Sequence, residues 1–249
     1  MAEKVPRQIG TKVPMASERK VPKHLGIIMD GNRRFAKRLM IQPQMGHKWG
    51  AQKLREVLGW CKESGVKEVT FYAFSVENFH RPKNEFDYLM NIFKEEMERI
   101  KSDESIMKDG IKIRFLGRIW MFPEDLQKGM KEVEEMTKKN NNYFVNFAMA
   151  YGGRTEMVDA AKKIAKLIKD KKIDLEQVDE KLFAQNLYLD SDVDLVIRTS
   201  GEKRTSGFML WQSSYAELYF CDKYWPEFSK DDLQKALKEY ADRDRRFGK

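Results

Sequence analysis

Short apolar runs alternate along this chain with longer segments whose apolar residues recur at helical spacing. Leu25-Gly26-Ile27-Ile28-Met29 is one such run, without polar alternation, as expected of a strand buried on both faces. Residues 69–74, 111–116, 144–149 and 193–197 share its character, and Leu218-Tyr219-Phe220 makes a sixth. From about Asn84, Phe86, Leu89, Met90, Phe93, Met97 and Ile100 place one apolar stripe on an otherwise charged helix. Such a stripe suits a plain core face and equally the wall of an apolar channel. Pro123-Glu124-Asp125 predicts another helix start, with proline in the first turn and carboxylates near the positive end of the dipole. Alternating β and α elements predict a single α/β domain over 22–249, a central and mainly parallel six-stranded sheet flanked by helices. Ahead of it, residues 1–21 read as a flexible basic arm. Lys-Val-Pro recurs there at 4–6, 12–14 and 20–22, and proline at that density prevents regular helix.

Composition narrows the function classes. Of 249 residues, 41% are hydrophobic, enough to build a core and to exclude disorder throughout. No stretch reaches the roughly 18 apolar residues of a membrane span, and no apolar segment follows the basic N-terminus. Two cysteines, Cys61 and Cys221, and three scattered histidines leave neither a disulfide framework nor a Cys/His zinc site. A soluble cytoplasmic protein is expected. The net charge of +8 raises the question of nucleic acid, but residues 1–23 hold six basic and two acidic residues and so half the excess. The body lacks the basic stripe with interleaved aromatics that nucleic-acid binding would require. The arm's charge serves solvation or weak attraction to an anionic membrane surface.

In an open parallel sheet, ligands bind beyond the carboxyl ends of the strands, which selects three loops. The first is Met29-Asp30-Gly31-Asn32-Arg33-Arg34. Gly31 permits close backbone approach, the following helix start offers free N–H groups, and the two arginines suit phosphate oxygens. Asp30 beside such a site calls for a bridging cation, and Mg²⁺ prefers one or two carboxylates plus phosphate and water. The same residues also fit a capped helix start with surface arginines. The second loop, Ser75-Val76-Glu77-Asn78-Phe79-His80-Arg81-Pro82, combines hydroxyl, amide, ring and guanidinium, and it reads equally as a capped turn. The third, residues 198–207, carries Arg198, Lys203, Arg204 and several hydroxyls. Beyond it, Glu217 lies in an aromatic stretch where a carboxylate needs a partner or a metal. Two anion cradles with two separated carboxylates suit a reaction between two phosphorylated molecules.

These residues resemble the cis-prenyltransferases, typified by undecaprenyl diphosphate synthase. His24–Arg34 matches the signature H-x-x-I-x-M-D-G-N-x-R. Gly46-His47-x-x-Gly50, residues 71–81 and Tyr151-Gly152-Gly153-Arg154 continue it in order, and residues 194–204 and 210–218 complete it. The resemblance spans about 22–248. It implies that Asp30 is the essential carboxylate working with Mg²⁺, and that Gly31, Asn32, Arg33, Arg34, His47 and Arg81 surround the allylic donor diphosphate. It further implies that Ser75, Asn78 (as a catalytic group) and Phe79 order the reacting groups. Arg198, Arg204 and Ser206 would hold isopentenyl diphosphate, with Glu217 supporting the metal. Arg246-Phe247-Gly248 resembles the family's C-terminal Arg-x-Gly, which reaches into a partner subunit's site, so a homodimer is implied.

The product would be a Z-polyprenyl diphosphate whose tail occupies an apolar tunnel, with peripheral membrane contact for its release. Two other readings stay open: prenyl transfer to a non-isoprenoid alcohol, and a non-catalytic accessory subunit. The trans-type synthases need D-D-x-x-D, whereas Asp231-Asp232 is followed by Lys235. One departure stands out. Four residues before His47 the family commonly has a donor-binding arginine, and this chain has Pro43, with Lys48 and Arg38 as candidate substitutes. Arg33 and Phe35 replace the Gly and Trp common in the bacterial signature.

Overall fold

The six apolar runs become six strands because each is covered on both faces. A computed structural model describes residues 20–243, so residues 1–19 of the expected arm, and Arg246, Phe247 and Gly248, lie outside the described residues. The strands are β1 (His24–Ile28), β2 (Glu68–Ser75), β3 (Ile111–Leu116), β4 (Tyr143–Tyr151), β5 (Leu195–Arg198) and β6 (Glu217–Phe220). They form one sheet in the order β3-β4-β2-β1-β5-β6. Every pairing is parallel, where the sequence predicted a mainly parallel sheet. Every residue of β1 and β5 is buried, which explains their lack of polar alternation.

Parallel strands need crossovers, and helices supply them. They are α1 (Asn32–Arg38), α2 (Pro43–Glu63), α3 (Lys83–Ser102), α4 (Glu104–Lys108), α5 (Glu124–Thr137), α6 (Gly153–Lys169), α7 (Glu180–Asn186) and α8 (Lys230–Asp242). The predicted apolar stripe is α3, and Leu89, Met90, Met97 and Ile100 are buried along it. The predicted start at Pro123 is the cap of α5; Pro123 has extended backbone and sits just outside the helix. Asp231 and Asp232 are the acidic first turn of α8, where Asp232 answers the Ser229 cap and pairs with Lys223 at 2.7 Å. No helix among the described residues is long and apolar enough to cross a membrane.

The strand order places a topological switch between β1 and β5. From β1 the chain winds outward to β2, and from β5 it winds the other way to β6. Loops leaving β1 and β5 therefore diverge and open a crevice at their carboxyl ends. One wall of the crevice depends on two glycines of α2. A Cβ on Gly46 would stand 2.2 Å from the Asn32 carbonyl oxygen, and one on Gly50 would stand 2.5 Å from Asn32 Oδ1. The Gly46/Gly50 notch thus seats the start of α1 against α2. Trp225 fastens the same corner by donating its indole N–H to the Gly50 carbonyl at 2.8 Å.

Gly46→Ala should accordingly lower stability by about 1–3 kcal/mol, since backbone must move to admit the methyl. Gly59 lies in the same helix, and a Cβ there would meet nothing within 4 Å. Gly59→Ala should raise stability by about 0.5–1 kcal/mol. Thermal or urea denaturation of the two variants beside the parent checks both signs.

Candidate active site

The crevice is built outward from Arg198, the last residue of β5, which lies in register with Ile28 of β1. Its side chain is only 5% exposed. The guanidinium donates from Nη2 to Asp30 Oδ2 at 2.8 Å, and from Nη1 to the Arg204 carbonyl at 2.5 Å and to Ser206 Oγ at 2.8 Å. Asp30 is fixed from its backbone as well. Its N–H donates to Thr199 Oγ1 at 3.0 Å, and that hydroxyl donates to the Asp30 carbonyl at 2.7 Å. Burial alone would push the Asp30 carboxyl up, but Arg198 and then Arg34 hold it below the usual range. Asp30 is therefore an ionised oxygen donor at neutral pH.

Gly31 lets the chain turn from β1 into α1. It adopts φ +104°, and a Cβ there would lie 2.7 Å from the Tyr224 ring and 3.0 Å from Ser200 Cβ. The next residues divide. Successive helical side chains diverge by about 100°, so Arg33 and Arg34 serve different places. Arg34 reaches Ser200 Oγ at 2.6 Å, Glu202 at 2.8 Å and Asp30 at 3.1 Å. Arg204 pairs with the other oxygen of Glu202. Asp30, Arg34, Arg198, Arg204 and Ser206 thus form one cluster, so Arg34 stands with the residues expected to hold isopentenyl diphosphate, where the sequence reading groups it with those around the donor.

Arg33 turns the other way, to 3.8 Å from Glu85 in the first turn of α3. Arg81 pairs directly with the same carboxylate, and His47 Nε2 lies 3.3 Å from it. Burial first, and then the nearby Arg81, hold the His47 imidazole below its ordinary range, so it is neutral at pH 7. This second cluster joins Arg33, His47 and Arg81, three of the residues expected around the donor, about a carboxylate that the sequence does not single out. An acid just after Arg81-Pro82 reads as an ordinary helix-start residue. Neither suggested substitute for the arginine absent at Pro43 joins it. Arg38 pairs with Glu227 at 2.5 Å, and Lys48 is exposed with no ion pair among the described residues.

The second loop is partly a structural device. Ser75 and Asn78 form a reciprocal capping box on the short turn after β2, with the Ser75 N–H donating to Asn78 Oδ1 at 3.0 Å. Phe79 packs against Phe74, Phe86 and Phe122 at centroid distances of 5.1–5.7 Å. Its ring belongs to an aromatic cluster behind the crevice. Asn32 seats in the glycine notch with Oδ1 buried and unpartnered.

Glu217 stands apart from both clusters in its pairing. It begins β6 in register with Leu195, whereas the site lies beyond Arg198 and Phe220. Three strand residues, about 10 Å, separate the two ends of β6. Of the two alternatives, a partner or a metal, the described residues supply a partner: Glu217 pairs with Arg243.

A cavity of about 350 Å³ leads from this site between the sheet, α2 and α3. Asn32 and His47 stand at one end, and Leu54, Leu89, Phe93 and Met97 line its length. The stripe on α3 is thus both core and cavity wall.

Comparison with known proteins agrees with this geometry. A family model described as "Putative undecaprenyl diphosphate synthase" matches residues 28–248. The chain is 49% identical over 233 residues, covering 92% of this chain and 83% of the relative, to a tritrans,polycis-undecaprenyl-diphosphate synthase (geranylgeranyl-diphosphate specific) of Methanocaldococcus jannaschii. A protein of the same name from Thermococcus kodakarensis is 46% identical, over 92% of this chain and 88% of that one. Among solved structures, lavandulyl diphosphate synthase from Lavandula x intermedia, in complex with dimethylallyl diphosphate, superposes with a TM-score of 0.87. It is 35% identical, with 92% of this chain and 99% of that chain covered. A probable undecaprenyl diphosphate synthase from Campylobacter jejuni gives a TM-score of 0.76 at 32% identity, over 92% and 100% of the two chains. With these relatives, the accessory-subunit and alcohol-acceptor readings are not favoured. The chain belongs to the undecaprenyl diphosphate synthase family and is a cis-prenyltransferase, an enzyme of cis-prenyl chain elongation.

Proposed function

We propose that this enzyme condenses isopentenyl diphosphate with an allylic prenyl diphosphate to make a Z-polyprenyl diphosphate, with geranylgeranyl diphosphate as the favoured primer. The observation that carries this reading is the division of Arg33 and Arg34 between two cation clusters at one crevice. Two anion sites side by side suit two diphosphate substrates. The primer named for the Methanocaldococcus jannaschii relative supports the donor assignment. Arg33, His47 and Arg81 hold the donor diphosphate, with its tail in the cavity as in a tunnel; Arg198, Arg204 and Ser206 hold isopentenyl diphosphate. Gly31 and Asn32 bring the start of α1 against the donor.

Mg²⁺ fits this site through Asp30, because it binds by one or two carboxylates together with substrate phosphates. The bound ion would stabilise the charge that develops on the departing diphosphate. The allylic C–O bond breaks, and inorganic diphosphate carries away the electron pair. The homoallylic double bond then closes on the allylic carbon, and loss of one proton restores neutrality in the new cis unit. Arg33 and Arg81 are preorganised donors for the leaving charge. Ser75 and Asn78, locked in their capping box, hold fixed positions beside the reacting carbons and so contribute orientation.

A homodimer and a peripheral membrane contact complete the proposal. Tyr215, 78% exposed, and Leu218 lie on or beside β6, an edge strand that a second copy would cover. Arg246 and Gly248 would act across that dimer. For the membrane, residues 31–55 carry seven basic side chains and no carboxylate, and Met40 between α1 and α2 is 94% exposed.

Incubation with geranylgeranyl diphosphate, labelled isopentenyl diphosphate and Mg²⁺ should give a ladder of cis-polyprenols after dephosphorylation. EDTA should abolish it. Absence of incorporation by folded protein would refute the assignment.

Asp30→Ala should end turnover in a protein that still folds. It should also cost about 2–3 kcal/mol, since the buried Arg198 loses its carboxylate. The carboxyl is held below its ordinary range, so this contribution is complete near neutral pH and is lost as pH falls below about 4. Urea denaturation at pH 7 and pH 3 should show the gap between parent and variant closing at the lower pH.

A further inference from the structure

Glu85 is a carboxylate where the proposed donor site should have only cations. Its side chain is 9% exposed and faces Arg81, His47 at 3.3 Å and Arg33 at 3.8 Å. These are the three groups assigned above to the donor diphosphate. A phosphate and a carboxylate cannot both keep the same guanidinium without repelling each other. Arg81 is itself largely buried, and a buried charge without a counter-charge is costly. The cluster therefore needs an anion at all times, and needs a different one when substrate arrives.

We infer that Glu85 is the resident counter-anion of the donor site, yielding Arg81, His47 and Arg33 to the donor diphosphate and reclaiming them as inorganic diphosphate departs. The inference rests on the cis-prenyltransferase reading of the site and adds how that site loads and empties. Elongation requires inorganic diphosphate to leave before the lengthened chain can bring its own diphosphate into the same place. A tethered carboxylate beside the guanidiniums competes at every round. Burial alone would push the Glu85 carboxyl up, but Arg81 and then Arg33 and His47 hold it low, so the competitor is ionised at neutral pH. Glu85 is thus a positioning residue: it sets donor affinity and release, and leaves the bond-making step alone. A purely structural acid would only favour the first turn of α3.

The test compares the parent with Glu85→Gln, close in shape but uncharged, and Glu85→Asp, which keeps the charge. Inorganic diphosphate is titrated by calorimetry, and steady-state and single-turnover kinetics are run with geranylgeranyl and isopentenyl diphosphates. Loss of the like charge should tighten inorganic diphosphate and lower the donor KM by about tenfold in Glu85→Gln. The KM for isopentenyl diphosphate and the single-turnover rate should stay at parent values, while multiple-turnover kcat falls as release slows. Glu85→Asp should remain near the parent in every readout. Equal or weaker diphosphate binding by folded Glu85→Gln overturns the inference, as does an equal shift for both substrates. Should Glu85→Gln fail to fold, Glu85→Asp decides: a tenfold change in donor KM despite the retained charge overturns the inference. Failure of the parent itself to bind diphosphate would overturn the cis-prenyltransferase reading as well.

Discussion

The crevice depends on one buried guanidinium. Arg198 ends a central strand of an all-parallel sheet, where both faces are covered and water is scarce. A charge in that position must be neutralised and hydrogen-bonded, or it would cost several kcal/mol. Asp30 neutralises it from the neighbouring strand's loop, and the Arg204 carbonyl and Ser206 Oγ take other donors. The loops after β1 and β5 are therefore tied together at the switch point by the need to satisfy a single side chain. The group that secures the fold there is also the group that keeps the Asp30 carboxylate ionised.

The second cluster follows the same electrostatic logic on the other side of α1. In each, cations sized for a phosphate are balanced by carboxylates of the protein, Asp30 and Glu202 in one and Glu85 in the other. Preorganised donors are useful in catalysis because they need not reorient when charge develops. Holding them in place before substrate arrives requires partners, and the partners must be able to yield. Arg33 and Arg34 couple the two clusters through a helix whose start is seated in the Gly46/Gly50 notch. A methyl group at that notch would disturb both anion sites together.

Most of the sheet was legible because burial on both faces leaves a plain trace, a short apolar run between polar segments. The first and third loops were legible because arginine, glycine and carboxylate in a few residues are unusual beyond a strand end. The limits were physical too. The buried face of α2 consists of Gly46, Gly50, Val57 and Cys61, and glycines do not register as an apolar stripe. Glu217 called for a partner or a metal, and no neighbour in the chain shows which. Its partner Arg243 lies 26 residues away. Glu85 was invisible for a different reason. An acid in the first turn of a helix is commonplace, and only the fold shows that α1 and α2 bring Arg33 and His47 to it.

Two departures from the bacterial signature fall at the starts of two helices that pack on each other. Pro43 stands where an arginine is common, and here it starts α2, a position where its fixed φ helps and its missing N–H costs nothing. The cation it cannot supply is not recovered from Lys48 or Arg38, which stand apart from the cluster. Arg33, at a position where glycine is common, turns toward Glu85 beside His47 and Arg81. Charge in such a site is set by what reaches the pocket, so a motif read position by position understates how much of the chemistry is retained.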